Sequence, residues 1–185
     1  MKFSNYGDVE KQYNMGGNWL KLKSGENKVR LVSEFEVYGN HFDEKKGVKG
    51  LICIGKDKGC IGCAKDIEVK AQTLGWVIDR SDGKVKLFRM PYSVFKKIGE
   101  LQLQEEYQFE TVPNYDVTIT KTGEGMETRY SVIAARKDTE ITGDEMEDIN
   151  KTVKPVSEII ENMKSKIKDG GAEDMPPVES YQSQE

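Results

Sequence analysis

Apolar and polar residues alternate along several short stretches of the chain, and this period-two pattern predicts β-strands joined by tight turns. Residues 19–23 alternate strictly, residues 24–27 have the composition of a turn, and residues 28–32 alternate again. We therefore predict a hairpin whose leucine and valine side chains face the core. Its opposite face would carry one aromatic ring and four positive charges, on Trp19, Lys21, Lys23, Lys28 and Arg30.

Two more hairpins are predicted further along the chain. Residues 71–80 and 84–90 flank the turn Ser81-Asp82-Gly83, and residues 115–121 and 128–133 flank a glycine-containing turn. In the 84–90 strand we expect Val85 and Leu87 to face inward. The outer face of that strand would then carry Lys84, Lys86 and Phe88.

Helical periodicity occurs in two places. After Pro91, apolar residues recur at helical spacing from Val94 to Leu101, and a second apolar stripe runs through residues 155–167. Six strands, mostly joined as hairpins, with one interposed helix predict a mainly β fold, namely a small closed or partly open barrel with flanking helices. The length of 185 residues leaves room for one such domain and its tails.

The net charge of -4 conceals an uneven distribution. Residues 16–137 hold 21 lysines and arginines against 17 acids, whereas residues 138–185 hold 5 against 13. A mildly basic core with an acidic tail favours a polyanion binder that carries a separate partner or autoinhibitory segment. An ordinary solvated acidic tail is the alternative. Residues 169–185, with five acids and no basic residue, are predicted to be disordered.

The chain has one histidine and three cysteines, and all four lie between His41 and Cys63. The order His-x11-Cys-x6-Cys-x2-Cys offers one imidazole and three thiolates, which make a complete tetrahedral set for Zn²⁺. The predicted ligands of this single site are His41, Cys53, Cys60 and Cys63. Since all four positions would be filled by protein, the site is expected to be structural rather than catalytic.

The three cysteines have three other interpretations. Buried free thiols remain an alternative for residues of this kind taken singly. A thioredoxin-like pair would need the Cys-x2-Cys segment to open a helix after a strand, whereas here it is flanked by glycines and lysines. Disulfides fit an odd cysteine count poorly.

Cations along a strand together with flat aromatic rings are what a single-stranded nucleic acid site requires, because the cations meet phosphates and the rings stack on bases. The predicted hairpins and the start of the first helix supply both kinds of residue. The candidate DNA contacts are Trp19, Lys21, Lys23, Lys28, Arg30, Lys84, Lys86, Phe88, Arg89, Tyr92, Tyr115, Arg129 and Tyr130.

Three features together resemble the zinc-containing single-stranded DNA-binding proteins of tailed phages, the helix-destabilising type. The first is the segment Leu20-Lys21-Leu22-Lys23-Ser24-Gly25-Glu26-Asn27-Lys28-Val29-Arg30-Leu31. The second is the order of the four ligands around a glycine-rich loop, and the third is the late hairpin from Tyr115 to Val132 followed by the acidic tail. The ligand order is the most specific of the three.

The resemblance implies an OB-fold barrel of five to six strands with a small zinc-binding subdomain, and a cleft between them that takes single-stranded DNA. It implies an N-terminal arm (1–15), an OB-fold core (16–137) with a zinc-binding insertion (41–66), a linker with an amphipathic helix (138–168), and the acidic tail (169–185). The family coats and protects single strands and removes their secondary structure during phage DNA replication, recombination and repair, largely independently of sequence. The tail would recruit replication and recombination proteins.

The chain departs from the best-known members at its N-terminus, where residues 1–15 hold only Lys2 and Lys11, balanced by two acids. Strong cooperativity through a basic arm is therefore not expected, and weak self-association on DNA is kept as an alternative. No apolar run is long enough to span a bilayer, and the first residues do not resemble a secretory or transit peptide. We expect a cytoplasmic protein, in the host cell if it is phage-encoded, without a membrane partner.

Two other functions stay open from the sequence. An RNA-binding zinc OB-fold protein would use the same residues, because nothing here reads or excludes the 2′-hydroxyl. A zinc-stabilised protein-interaction module would use the charged face for an acidic protein. Enzymatic activity is not expected, because the chain shows no phosphate-binding loop, no nucleophile constellation and no histidine besides His41.

Overall fold

A computed structural model describes residues 19–135 and 140–168 of the chain. The described part is mainly β, with seven strands. These are β1 (Gly25–Leu31), β2 (Glu36–Asp43), β3 (Val48–Ile52), β4 (Val69–Asp79), β5 (Lys84–Met90), β6 (Val117–Thr122) and β7 (Arg129–Ala134). The α-helices are α1 (Ile61–Ala64), α2 (Tyr92–Gln102), α3 (Gly143–Thr152) and α4 (Val156–Lys168).

The strands form one antiparallel sheet in the order β3-β2-β4-β1-β6-β7, and β5 pairs with the other edge of β4. β4 is the longest strand, with 11 residues, and it shares one edge between two partners. Its first half pairs with β2 and its last three residues pair with β1. In the described residues no pairing joins β5 to β7, so the sheet is open and does not close into a barrel through its backbone.

The structure contains two of the three predicted hairpins. The β4–β5 and β6–β7 hairpins are confirmed, but the first hairpin is wrong. Residues 20–23 are not in a strand, and Trp19 forms only an isolated parallel bridge with Leu87 in β5. β1 instead pairs with β4 and β6, which lie about 50 and 90 residues away in sequence. The hairpin β2–β3, in the segment that carries the metal-ligand candidates, was not predicted as strands.

Both faces of the central sheet are covered. Helix α2 lies over one face, which we call the first face, and α3 and α4 lie over the opposite, second face. The core of the first face contains Leu20, Val29, Leu31, Val77, Phe88, Met90, Val94, Ile98, Tyr115, Val117, Ile119 and Ala134. The core of the second face contains Tyr38, Ile52, Leu74, Trp76, Ile78, Val85, Leu87, Val156 and Ile160.

The C-terminal helices are attached to the second face by polar contacts as well as by packing. The helix predicted over 155–167 is confirmed as α4, and it buries Val156 and Ile160. Helix α3, which was not predicted, begins with a capping box between Thr142 and Glu145. The Trp76 indole Nε1–H donates to the carbonyl of Lys154 at 2.9 Å, so the loop between the two helices is fixed to β4. No helix in the described ranges has the length and apolar character needed to cross a bilayer.

Arg80, at the end of β4, joins two buried carboxylates. Its guanidinium pairs with Asp116, at 3.0 Å, and with Glu145 of α3. Burial alone would raise the pKa of Glu145, but hydrogen bonds from the Thr142 backbone and from Arg80 outweigh it and lower the pKa. The ionised carboxylate therefore stabilises the docked helix.

We predict that Glu145→Gln lowers the free energy of unfolding by roughly 2 kcal/mol near neutral pH, because it removes the charge that Arg80 and the helix cap both bind. The folded pKa of Glu145 is depressed, so its contribution is complete above the unfolded pKa of about 4.3 and is lost as the pH falls through the folded value. Urea unfolding of both proteins over a pH series should show their difference shrinking in acid.

Glu147→Gln is the matched control in the same helix. Glu147 pairs with Lys151 at the surface, where the two side chains are 65% and 70% exposed. Its loss should cost at most about 0.5 kcal/mol. Equal effects of the two substitutions would contradict the importance given to the Arg80 contacts.

Candidate metal centre and nucleic-acid interface

The four predicted metal ligands come together at one end of the sheet. His41 lies in β2, Cys53 directly follows β3, Cys60 is the N-cap of α1, and Cys63 lies within that helix. Their ligand atoms all lie within 4.8 Å of one another. The antiparallel pairing of β2 with β3 and β4 is what holds the histidine opposite the loop that carries the cysteines.

The distances within this cluster fit one tetrahedral zinc ion. The Cys53 and Cys63 sulfurs are 3.6 Å apart, and His41 Nε2 lies 3.4 Å from the Cys60 sulfur and 3.6 Å from the Cys63 sulfur. Zinc bonds of ordinary length place tetrahedral donors about 3.5–3.8 Å from each other. The donor set of three thiols and one imidazole is therefore compatible with a single structural zinc site.

The histidine is oriented for this role by a backbone carbonyl. His41 is fully buried, and its Nδ1 lies 2.8 Å from the carbonyl oxygen of Ile67. Because a carbonyl only accepts, the proton belongs on Nδ1, which leaves Nε2 with a lone pair toward the cysteines. This outer hydrogen bond is the usual support of a metal-bound imidazole.

Glycines allow the loop to close around the histidine. Gly55 and Gly59 have φ values of 96° and 76°, in the left-handed region that favours glycine. Gly62 packs directly against the imidazole, and a Cβ at this position would lie 2.3 Å from His41 ring atoms. Outside the cluster, Lys46 and Lys65 each donate to the other's backbone carbonyl at 2.9 Å, which ties the β2–β3 turn to the end of α1.

The two thiols of the Cys-x2-Cys pair have different proton affinities. Burial raises the pKa of Cys60, but backbone hydrogen bonds from Cys63, Ile54 and Gly62 outweigh it and lower the pKa to about 6. Burial and the neighbouring sulfurs of Cys53 and Cys60 raise the pKa of Cys63 to about 11. A divalent cation would reverse the second effect, because it favours the thiolate of every ligand.

The candidate DNA contacts do not form one surface. Six of them are exposed, four are partly buried and three are buried. The exposed residues are Lys21, Lys23, Lys28, Lys84, Tyr92 and Arg129, and the partly buried ones are Trp19, Lys86, Arg89 and Tyr130. Arg30, Phe88 and Tyr115 are the buried residues.

The expected outward orientation is wrong for Arg30 and Phe88, and the third buried candidate is Tyr115. Phe88 is 1% exposed and meets Phe35 edge-on, with ring centroids 6.4 Å apart, because both faces of β5 are covered. Tyr115 packs between Tyr107 and Phe109 below α2, and its hydroxyl donates to the carbonyl of Tyr107. Arg30 is 8% exposed, opposite Ile78. Phe88 and Tyr115 are thus part of the core of the first face, and Arg30 is a buried charged residue.

Other candidates contact neighbouring side chains, and Lys28 pairs with Asp116 at 3.4 Å. Lys86 contacts Asp79 at 2.7 Å and Asp82 at 2.6 Å, and these two carboxylates, against the effect of burial, raise its pKa. Arg89 lies over the Trp19 ring, with its guanidinium carbon 5.5 Å from the ring centroid. Lys86 is therefore already neutralised, while Trp19 and Arg89 form a stacked pair.

The first face carries an exposed apolar strip beside the metal-ligand cluster, and sequence analysis missed it. Val37 is 55% exposed, Val69 is 49% exposed, and Ala71 is also exposed. Gly39 pairs with Ala71 and His41 pairs with Val69, so this strip shares its face with the histidine. We refer to Val37, Gly39, Val69 and Ala71 as the apolar strip. No sequence signal marks it, because exposed valines have the same pattern as buried ones.

Helix α2 begins at the other end of the apolar strip. It follows Met90, which pairs with Thr73, and Thr73 in turn pairs with Val37 on its other edge. Tyr92, in the first turn of α2, is 48% exposed and lies 6.2 Å from the Phe95 ring. The strip is thus bounded by the metal-ligand cluster on one side and by the start of α2 on the other.

Comparison with known proteins adds no assignment to this geometry. No protein-family model matches the chain, and no curated protein matches it. The residues and their arrangement are therefore the basis of the functional argument.

We predict that Gly62→Ala strongly weakens metal binding, because the added methyl group would displace the His41 ring. Competition with a chromogenic chelator should show at least a tenfold loss of zinc affinity, about 1.4 kcal/mol. Gly99→Ala is the control, since a Cβ at Gly99 in α2 meets no heavy atom within 4 Å. Unchanged affinity in a folded Gly62→Ala protein would show that the imidazole is not a ligand.

Proposed function

We propose that this protein binds single-stranded DNA, without catalysis, in a shallow cleft whose floor is the apolar strip and whose one wall is stabilised by a structural zinc ion. The observation that carries the proposal is the exposed strip between two basic segments. Its apolar floor suits the faces of unstacked bases, and lysines on both sides suit the phosphates.

The charge around the strip favours a polyanion. The segment 43–70, which contains the metal-ligand loop, holds seven lysines against five acids. On the other side, Lys96 and Lys97 are exposed on α2, one turn after Tyr92. A single strand crossing the strip would meet positive charge on both sides and could stack a base on the Tyr92 ring.

A single strand fits this site better than a duplex. In a duplex the bases are stacked inside and present only their edges, so exposed valines and an exposed ring would find no apolar partner. Unpaired bases expose their faces, and stacking on an aromatic side chain contributes about 1–3 kcal/mol per base.

The strand order and the position of α2 support an OB-type arrangement of part of the open sheet. The strands β5-β4-β1-β6-β7 follow one another, with α2 between the two hairpins. An OB-fold is a five-stranded, partly open barrel. We propose that the five strands are such a barrel with the β5–β7 seam unpaired, and that β2, β3 and α1 form the zinc-binding subdomain inserted in it.

Zinc has a structural role in this proposal. His41, Cys53, Cys60 and Cys63 would fill all four positions, so no coordination site stays open for water or substrate. The ion would join the end of β3 and helix α1 to β2. The carbonyl of Ile67 positions the His41 imidazole through its hydrogen bond with Nδ1, and the three cysteines would supply the thiolates.

The acidic segment 169–185 and the arm 1–15 lie outside the described residues. Recruitment of replication and recombination proteins by the tail, a role in phage DNA metabolism, a cytoplasmic location and weak self-association on DNA remain proposals. They follow from the resemblance and from the acidic composition of the tail.

We predict one zinc per chain, and loss of that zinc in His41→Ala. The free energy of zinc binding contributes to folding and is on the order of 10 kcal/mol in small zinc peptides. We expect a smaller contribution here, because strand pairing also stabilises this end of the sheet. Chelation should therefore lower the melting temperature, and added zinc should restore it. Elemental analysis and thermal melts measure both effects. A zinc content near zero in protein purified and refolded with zinc would contradict the site.

For DNA binding we predict that Tyr92→Ala weakens affinity for a fluorescent single-stranded oligonucleotide by roughly 5- to 100-fold, as expected for one lost stacking contact. Lys96→Ala should have a smaller effect and should reduce the salt dependence by about 0.7 in the slope of log affinity against log salt. Lys151→Ala, which removes an exposed lysine of α3, is the control and should bind like the unaltered protein.

Unlabelled duplex DNA and RNA serve as competitors in the same titration. Weak competition by duplex supports a single-strand site, and strong competition by RNA would favour the RNA-binding alternative. If zinc-loaded protein fails to bind any nucleic acid at low salt, the apolar strip is better explained as a contact surface of a protein-interaction module.

A further inference from the structure

Two of the three cysteines are partly exposed, and the third is buried. Cys53 and Cys63 are both partly exposed, and their sulfurs lie 3.6 Å apart. Cys60 is 1% exposed and its sulfur contacts His41 Nε2 at 3.4 Å. Cys53 and Cys63 are therefore more accessible to a reagent in solution than Cys60 is.

We propose that Cys53 and Cys63 form a reversible disulfide bond with each other and that this bond releases the metal. The oxidant is a low-molecular-weight disulfide such as glutathione disulfide. The pair differs from the one that the sequence suggests, since Cys60 and Cys63 form the Cys-x2-Cys motif. The inference concerns the metal-ligand cluster and does not depend on DNA binding.

The chemistry balances as two successive exchanges. The thiolate of one exposed cysteine attacks a sulfur of glutathione disulfide, which forms a mixed disulfide and releases one glutathione thiolate. The second cysteine thiolate then attacks the protein sulfur of that mixed disulfide and releases a second glutathione thiolate. The protein pair loses two electrons, and one glutathione disulfide gains them.

The backbone around the pair allows this closure. Cys53 is held at the sheet, where its N–H donates to the carbonyl of Gly39 at 2.8 Å. Cys63 lies beyond a loop that contains Gly55 and Gly59, both at positive φ. The two sulfurs need to approach by ~1.5 Å to reach bonding distance, a shift that this loop and a change of side-chain rotamer can supply.

Oxidation would remove two of the four ligands. His41 and Cys60 alone offer one imidazole and one thiolate, which is too few for a closed zinc site. The pairing of β2 with β4 does not involve these sulfurs, so the sheet is expected to persist while α1 loses its metal anchor. Reduction restores the thiolates and hence the site.

The test uses the zinc-loaded full chain in buffers of graded glutathione and glutathione disulfide, without DNA. Zinc release is followed with a chromogenic chelator, and the linked cysteines are identified by peptide mapping under non-reducing conditions. We expect a Cys53–Cys63 link that rises in parallel with the loss of one zinc per chain, and reversal of both on reduction. A dominant Cys60–Cys63 or Cys53–Cys60 link would overturn the proposal. So would full retention of zinc and of all three thiols under oxidising conditions that convert a model dithiol.

Two variants sharpen the result. Cys60→Ser should still form the Cys53–Cys63 link, whereas Cys53→Ser should yield mixed disulfides with glutathione and no intramolecular link. An intramolecular link in folded Cys53→Ser would contradict the assignment. Where circular dichroism shows that a variant is unfolded, the mapping of the unaltered chain decides the question by itself.

Discussion

The structure depends on the double pairing of β4. This strand of 11 residues binds β5 along one edge and divides the other edge between β2 and β1. One continuous strand therefore belongs both to the packed centre of the sheet and to the end that carries the metal-ligand cluster. Trp76 and Ile78 lie in the first of these regions, and Val69, opposite His41, lies in the second. Any shift in its register would move the core and the metal site together.

The two regions of β4 are stabilised by different kinds of interaction. In the centre, helices cover both faces, and the buried carboxylates of Asp116 and Glu145 are paired with Arg80. At the metal end the strip residues of β2 and β4 stay exposed, and glycine allows close approach where a larger side chain would bury surface. Val48, Ile52, Ile54 and Ile67 are nevertheless buried around the cluster, and a zinc ion bound by the four clustered ligands would add to the stability that this burial supplies.

Sequence reasoning succeeded where the interaction is local. The clustering of His41 with the three cysteines, the hairpins β4–β5 and β6–β7, and the helix after Pro91 all follow from patterns within short stretches of the chain. It failed where partners are distant, because alternation in residues 19–32 does not reveal that β1 pairs with β4 and β6. The rule of one buried face per strand also failed for Phe88, because β5 is covered on both sides.

The same division explains why the apolar strip can exist. An exposed set of valines on a sheet normally invites burial by a helix, as happens over Val77 and Trp76 in the centre of β4. At the metal-ligand end, a bound zinc ion would supply stability that does not require such a cover. Val37 and Val69 could then stay exposed while β2 and β4 remain paired. In this view the metal-ligand cluster and the proposed binding surface are linked, because zinc binding would offset the free-energy cost of leaving the apolar strip exposed.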